Sequence, residues 1–182
     1  KEYMIDRSEH LCAIPFRFSE ITNDGQFLCC PGWLPIDVKQ TDNFATNFHS
    51  KQSEEIRESI LDGSYKYCKD DLCPHLIGYN KGNPSKVFLH KGDEIFKKPK
   101  LKSINFGFDL SCNLGCPSCR SEFVNFIGED RIKMDKILDN IVDQVGDTLE
   151  RIVLCGGAEP FFSKTILRFM REFDPLKVPN LK

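Results

Sequence analysis

The clearest alternation of apolar and polar side chains lies between residues 104 and 109. Ile104, Phe106 and Phe108 alternate there with polar or small residues. A period of two residues is typical of a β-strand, so this stretch predicts a strand. From about 131 to 149 the apolar residues instead recur near one face of a helix. That pattern predicts an amphipathic helix whose apolar side carries Ile132, Leu138, Ile141 and Val145.

The strand–helix order then repeats. Residues 151–154 form a second apolar run, which predicts another strand. Ser163 stands where it can cap a following helix, whose apolar side carries Ile166, Leu167, Phe169 and Met170. Strands and helices that alternate in this way predict an α/β fold with parallel strands and with functional loops at the carboxyl ends of those strands.

The first part of the chain has a different pattern. Residues 18–22 and 26–30 are predicted strands on either side of a tight Asn-Asp-Gly turn, which together indicate a β-hairpin. A helix is predicted over 53–61, and Asp62-Gly63 is expected to end it. Residues 44–50 are expected to form a loop. The inward-facing residues of the predicted helix are Ile56, Ile60 and Leu61.

Composition and charge narrow the class of protein. The chain has 182 residues, is 40% hydrophobic and carries a formal net charge of −2, which fits one or two soluble globular domains and gives no basic footprint for nucleic acid. No apolar run approaches the roughly 20 residues of a membrane span, so no membrane partner is expected. Glycine and proline are frequent in 77–101, which is therefore the predicted linker between a domain at 1–76 and a domain at 102–182.

Three cysteines lie close together directly after the first predicted strand of the second domain. Cys112, Cys116 and Cys119 have the spacing C-x3-C-x2-C. Three thiolates on one loop can hold three irons of a [4Fe–4S] cluster, and the fourth iron is then open to an exogenous ligand. A structural zinc site is the alternative, but it usually takes four ligands, and no nearby histidine completes one.

A glycine-containing segment follows the second predicted strand. It reads Cys-Gly-Gly-Ala-Glu-Pro over 155–160. Gly156 and Gly157 lack a Cβ, so their backbone can approach a ligand closely. The Glu159 carboxylate can accept a charge-assisted hydrogen bond from an ammonium group. A simple strand-end turn is the alternative, and Cys155 is interpreted as a small buried residue.

At these two motifs the sequence resembles the radical S-adenosylmethionine (radical SAM) enzymes. The resemblance implies that Cys112, Cys116 and Cys119 bind the cluster, and that Gly156, Gly157 and Glu159 receive the amino group of S-adenosylmethionine. It also implies the amino-terminal part of a partial TIM-type barrel, of which the sequence contains about two βα units, so the chain is expected to be a fragment of a longer protein. Ser118 stands where family members commonly carry an aromatic residue.

The family resemblance also implies a chemistry and partners. The reduced cluster would cleave S-adenosylmethionine to methionine and a 5′-deoxyadenosyl radical, and that radical would abstract a hydrogen atom from the substrate. A peptide or protein is the expected substrate, and a flavodoxin or ferredoxin is the expected electron donor. Reduced cysteines and clusters of this kind indicate a cytoplasmic setting.

A second set of cysteines lies upstream, at Cys12, Cys29, Cys30, Cys68 and Cys73. Their placement around a hairpin and a helix is similar to the auxiliary-cluster domain called SPASM. That resemblance implies a small cysteine-rich α+β domain that holds one further [4Fe–4S] cluster, although such domains usually follow the barrel. Neighbouring residues on a strand point to opposite faces, so one of Cys29 and Cys30 is expected to bind and the other to pack.

Two other interpretations stay open. A four-cysteine zinc site is a rival for the upstream set, which would make the chain a zinc-binding interaction protein. The other is an iron–sulfur electron-transfer module without chemistry of its own, which needs a fourth protein ligand for the Cys112 cluster, with Cys155 the nearby candidate. A disulfide framework is disfavoured by the odd count of nine cysteines. His75 is expected to be a surface histidine.

Overall fold

A computed structural model of the chain describes residues 8–22, 25–29, 43–116, 119, 122–154 and 157–182. Its architecture is mixed α/β. The strands are β1 (His10–Cys12), β2 (Phe18–Thr22), β3 (Gln26–Phe27), β4 (Phe88–His90), β5 (Ser103–Gly107) and β6 (Arg151–Val153). The helices are α1 (Ile14–Arg17), α2 (Phe44–Phe48), α3 (Lys51–Leu61), α4 (Pro74–Asn80), α5 (Glu94–Lys97), α6 (Gly128–Val145) and α7 (Lys164–Glu172).

The larger sheet has the strand order β3-β2-β5-β6. Strands β5 and β6, which α6 connects, pair in parallel, so the predicted strand–helix–strand unit is confirmed. Strand β2 pairs with β3 as the predicted antiparallel hairpin. It also pairs with β5 in parallel, in a register that sets Phe18 opposite Ser103. One sheet thus contains strands from both 1–76 and 102–182, the two predicted domains.

Helix α6 covers one face of this sheet. Ile104 and Phe106 of β5 pack against a buried stripe of the helix formed by Met134, Leu138, Ile141 and Val145. These four positions recur every three or four residues, as a helix face requires. The prediction that Ile132 belongs to this face is wrong, because six residues before Leu138 correspond to about 240° of helix rotation. Its side chain is 68% exposed.

Two short helices extend the same core. Residues 44–50 were expected to form a loop, but 44–48 form α2, because the Asn43 side chain accepts a hydrogen bond from the amide of Thr46 and thereby caps the helix. Phe44 and Phe48, four residues apart, are both buried. The predicted helix before Gly63 is α3, and Ile56 and Ile60 are buried as expected. Leu61 does not face inward and is 47% exposed.

A second core lies around a two-stranded sheet. Strand β4 pairs antiparallel with β1, so a segment of the predicted linker is part of this sheet. The core includes Phe16, Ile60, Leu76 and Phe96. Within the described residues, no helix is long and apolar enough to cross a membrane. A sheet of four strands is open, and the partial barrel stays a prediction.

Candidate functional site

The cysteine loop leaves the carboxyl end of β5. Its first cysteine, Cys112, is held in place by a two-hydrogen-bond bridge to Val124. The Cys112 amide donates to the Val124 carbonyl at 2.7 Å, and the Val124 amide donates back at 3.3 Å. The two ends of the loop are thereby tied together. A loop anchored at its base in this way can present its middle residues while its ends stay fixed.

The three cysteines differ in exposure. Cys112 is buried, whereas Cys116 and Cys119 are exposed. The Cys119 amide donates a 3.0 Å hydrogen bond to the Cys116 carbonyl, so these two cysteines lie on one turn. The Leu114 amide lies 3.4 Å from the Cys112 sulfur and donates to it. Amide hydrogen bonds to sulfur are among the contacts that tune a cluster.

The glycine loop lies directly against the base of the cysteine loop. The Glu159 amide donates a 3.0 Å hydrogen bond to the Ser111 carbonyl, one residue before Cys112. A Cβ on Gly157 would lie 2.9 Å from Leu110 Cδ2 and 3.3 Å from the Gly107 carbonyl oxygen. Only a glycine therefore fits at this position without displacing its neighbours. The two sequence motifs are brought together at one edge of the sheet.

A buried carboxylate locks this arrangement. Asp109 accepts a 2.8 Å hydrogen bond from the Ser111 amide through one oxygen, and a short hydrogen bond from the Ser163 hydroxyl through the other. Ser163 also accepts from the Ile166 amide at 3.0 Å and caps α7, as predicted. Asp109 and Ser163 are both buried. One side chain thus holds the cysteine loop and the start of α7 in a fixed relation.

Glu159 is the one carboxylate of the glycine loop. It is partly exposed, and its Oε1 accepts a 3.3 Å hydrogen bond from the Phe161 amide. Among the described residues no other hydrogen bond to this carboxylate is found, so it has acceptor positions left for a charged donor. Gly156, the other predicted cofactor-binding residue, lies outside the described residues, as do Cys155 and Ser118.

The donor set suits an iron–sulfur cluster, but the described side chains do not form a closed cage. Within the described residues, no group of three or more His, Cys, Asp or Glu side chains is gathered so that it could hold a metal ion. None of the described cysteines is in a disulfide. Three thiols on one anchored loop, an amide aimed at the Cys112 sulfur and a close-packed Gly157 beside them fit the predicted group. Metal ligands commonly come together only as the metal binds.

Three of the upstream cysteines lie in or against the second core. Cys12 and Cys73 are buried in it, and Cys68 packs against it. Tyr65 links two of them, because its hydroxyl accepts from the Cys12 amide at 3.3 Å and its carbonyl accepts from the Cys68 amide at 2.8 Å. Cys29 is buried beside the larger sheet. Cys30 lies outside the described residues, so the choice between Cys29 and Cys30 stays open.

Comparisons with known proteins add no relative: no family model, no curated protein and no solved structure matches this chain. The functional argument therefore depends on the residues themselves. Sequence reasoning found the cysteines, the glycines and Glu159, but it missed Asp109 as the residue that holds the two loops together. The available signal was a polar residue at the end of a predicted strand, next to a cysteine motif.

Proposed function

We propose that the chain is part of a radical SAM enzyme, with a [4Fe–4S] cluster bound by Cys112, Cys116 and Cys119. The observation that carries the proposal is the hydrogen bond from the Glu159 amide to the Ser111 carbonyl. It joins the cysteine motif and the glycine motif through two residues that are 48 positions apart in sequence. Two motifs of one site must lie at the same sheet edge, and parallel strands supply that edge at their carboxyl ends.

The three proposed cluster ligands differ in exposure. Cys112 is the buried, anchored ligand, and the Leu114 amide stabilises negative charge on its sulfur. Cys116 and Cys119 are the exposed ligands on the turn, and we expect that turn to close when metal binds. The loop offers three thiolates for four irons, so one iron stays open for a small-molecule ligand.

The glycine loop supplies the rest of the ligand site. Gly157 packs closely on 107–110, and because it has no Cβ its backbone would be able to approach a bound ligand. Glu159 is placed to accept a hydrogen bond from the ammonium group of S-adenosylmethionine. The hydrogen bonds of Asp109 keep both loops in this position while the ligand enters.

When bound at these residues, a reduced cluster would supply the one electron needed to cleave S-adenosylmethionine to methionine and a 5′-deoxyadenosyl radical, and that radical would abstract a hydrogen atom from the substrate. A flavodoxin or ferredoxin is the proposed donor of that electron. A peptide or protein is the proposed substrate. The proposed upstream cluster at Cys12, Cys68 and Cys73, with Cys29 or Cys30, would relay electrons or anchor the substrate.

The test is iron and sulfide analysis with electron paramagnetic resonance. The chain is reconstituted and reduced without oxygen, and spectra are recorded with and without S-adenosylmethionine. We expect a [4Fe–4S]⁺ signal that changes when S-adenosylmethionine is added, and we expect 5′-deoxyadenosine by chromatography when dithionite is the reductant. Replacement of Cys112, Cys116 and Cys119 by alanine should remove the responsive signal.

A paired substitution separates cluster binding from ligand binding. Glu159→Gln should leave the cluster signal intact but weaken its response to S-adenosylmethionine, because the amide carries no charge to match the ammonium. Glu122→Gln, an exposed residue of the cysteine loop, is the matched control and should respond like the unchanged chain. Zinc without iron after anaerobic purification, or a cluster signal indifferent to S-adenosylmethionine, would overturn the proposal.

A further inference from the structure

A cavity of about 430 Å³ lies on the sheet face that α6 does not cover. Phe18, Ser103 and Arg151 form one row across the three parallel strands, and Glu20, Asn105 and Val153 form the next row. All six line the cavity. Ile104 and Phe106 alternate along β5 with Ser103 and Asn105, and they face α6 on the other side of the sheet. The lining residues include none of the three cysteines of the cysteine loop. Gly107, at the carboxyl end of β5, lies between Glu20 of the cavity and Gly157 of the glycine loop.

The cavity has the composition of a small-molecule site. Most of its wall is apolar, and the larger apolar side chains are Ile14, Phe18, Val87 and Val153. The polar groups are concentrated on the sheet at Glu20, Asn105 and Ser103. Binding sites for small molecules typically enclose about 300–1,000 Å³ and combine apolar walls with a few convergent polar groups. Cys29 is the one cysteine among the described lining residues, so the cavity by itself offers no cysteine metal site.

Among the residues that the structure describes, the Glu20 carboxylate has no salt-bridge partner. Burial raises its pKa above the ordinary value, and a hydrogen bond from the Asn105 side chain opposes that rise only in part. No basic side chain of the described residues contributes to its charge balance. Gly107 leaves room for the carboxylate, because a Cβ there would lie 3.2 Å from Glu20 Oε1. A partly buried carboxylate of this kind gains from a cationic partner.

A second acceptor beside it is also unsatisfied. The Asn105 Oδ1 atom is buried and has no hydrogen-bond partner in the described part of the chain. The side-chain nitrogen of Asn105 donates to Glu20, so the side-chain oxygen of Asn105 is the atom that needs a hydrogen-bond donor. A buried acceptor without a partner is destabilising, so a bound donor would be favoured.

Two other titratable residues, His75 and Arg151, line the cavity. His75, on α4, has its pKa lowered by burial and is therefore neutral at pH 7. Its Nδ1 lies 2.9 Å from the Ser85 hydroxyl. His75, which was expected at the surface, is partly exposed and lies in the cavity wall. Arg151 belongs to the row next to Glu20, two strands away, and is exposed to solvent.

We propose that this cavity binds a small molecule that carries a primary ammonium group on an apolar body. The ammonium group donates hydrogen bonds to the Glu20 carboxylate and to Asn105 Oδ1, and the apolar body lies against Ile14, Phe18 and Val87. This site goes beyond the proposed radical chemistry and does not depend on it. Its recognition elements are a charge-assisted hydrogen bond and an apolar wall.

The experiment uses three probes of one shape on the whole chain. Nuclear magnetic resonance titrations follow 2-phenylethylammonium, its neutral analogue 2-phenylethanol, and the anion 3-phenylpropionate. We expect saturable binding of the ammonium probe, at least about tenfold tighter than binding of the alcohol, since a hydrogen bond to a charged group contributes roughly that factor or more. The amide signals that move should belong to β2, β5 and β6.

Variants identify the residue responsible. Glu20→Gln should remove the preference for ammonium over alcohol, and Glu58→Gln, on the exposed side of α3, should retain it. Val87→Phe fills the apolar wall without changing Glu20 and should weaken both probes, which keeps the proposal testable if Glu20→Gln does not fold. Equal affinity for alcohol and ammonium, preference for the anion, or no saturable binding at about 10 mM would overturn the proposal.

Discussion

The Ser163 hydroxyl donates a hydrogen bond to the Asp109 carboxylate, although the two residues are 54 positions apart. Asp109 follows β5 and precedes the cysteine loop, while Ser163 caps α7 after the glycine loop. Both side chains are buried, so this contact is shielded from water. It makes the position of one loop depend on the position of the other.

Ser163→Ala should therefore cost more than the loss of a helix cap. The substitution removes the cap on Ile166 and leaves one oxygen of a buried carboxylate without its donor. We expect the free energy of unfolding, measured by urea titration, to fall by about 2–4 kcal/mol, compared with about 1 kcal/mol for a cap alone. Ser50→Ala is the matched control, because Ser50 caps α3 through the Ser53 amide.

A double-mutant cycle isolates the contact. Asp109→Asn keeps an oxygen that can accept from the Ser111 amide, but it removes the negative charge to which the Ser163 hydroxyl donates. We expect the two substitutions together to cost about 1–3 kcal/mol less than their sum, because either one alone breaks the same hydrogen bond. Strict additivity, or a Ser163→Ala cost no larger than that of Ser50→Ala, would contradict the coupling.

Gly157→Ala should strain the contact between the two loops. The new Cβ would meet Leu110 Cδ2 at 2.9 Å and the Gly107 carbonyl oxygen at 3.3 Å. We expect a loss of about 1–3 kcal/mol in the free energy of unfolding, the usual cost of overpacking. Leu110 is a flexible side chain, so adding Leu110→Ala should recover part of that loss. Gly115→Ala is the control, since its Cβ would meet Phe123 at an ordinary 3.7 Å.

Local patterns predicted the elements that local interactions determine. The strand predicted from the alternation, the antiparallel pairing of the hairpin and the Ser163 cap each depend on residues within a few positions, and each was found in the structure. Helix α2 was missed, because two phenylalanines four residues apart in a polar segment give a weak helical signal. The pairing of β2 with β5 could not be predicted, because it joins strands far apart in sequence.

The candidate site divides in the same way. The cysteine spacing and the glycine pair are local motifs, and the rule for parallel strands predicted that their loops would be neighbours. The role of Asp109 depends on a serine in a distant loop, so its position at the end of a predicted strand does not by itself show which residue it holds. The cavity at Glu20 and Asn105 depends on the register between β2 and β5, which only the three-dimensional structure gives.

Arg57 should be the most costly single arginine to replace in the amino-terminal half. Its side chain is 1% exposed and donates to the carbonyls of Pro15 at 2.9 Å and Phe48 at 2.6 Å. Arg57→Met leaves both buried carbonyls without a donor, so we expect a loss of at least about 2 kcal/mol in the free energy of unfolding by urea titration. Its ion pair with half-exposed Glu54 matters less, and Glu54→Gln should cost about 1 kcal/mol or less.

Equal losses for Arg57→Met and Glu54→Gln would contradict this assignment, since they would place the contribution of Arg57 in the ion pair. Arg57→Lys adds a further check. Lysine keeps the charge but has one nitrogen instead of a planar fork, so it cannot reach two carbonyls and Glu54 together. We therefore expect Arg57→Lys to lie closer to Arg57→Met than to the unchanged chain.

Glu150 should make stability depend on pH in acid solution. Hydrogen bonds from the ammonium groups of Lys102 and Lys182 lower the pKa of this carboxyl from 4.5 to about 2. Because the folded-state pKa is the lower one, the stabilisation is present above pH 4.5 and is lost as pH falls towards 2. The group is at the surface, so we expect a contribution below about 1 kcal/mol that decreases with salt.

The measurement compares the unchanged chain with Glu150→Gln by urea titration at pH 7, 4.5 and 2.5. The difference in the free energy of unfolding should be largest at pH 7 and should shrink as pH falls, because protonation removes the charge from Glu150 itself. Asp143→Asn is a control for a single surface ion pair, since Asp143 has only Lys177 as a salt-bridge partner in the described residues. A difference that grows on acidification would contradict the assignment.

The upstream cysteines should bind metal independently of the cysteine loop. Cys12 and Cys73 are buried in the second core, and Cys68 packs against it, whereas the larger core contains the strand that leads to Cys112. Replacing Cys12 and Cys73 by alanine should remove the upstream metal and leave the signal that responds to S-adenosylmethionine. Replacing Cys112 and Cys116 should do the reverse.

Metal and sulfide per chain, measured after anaerobic reconstitution, distinguish iron–sulfur from zinc at each set. Loss of all metal in either variant would show that the two sets form one site, and circular dichroism of both variants separates that outcome from unfolding.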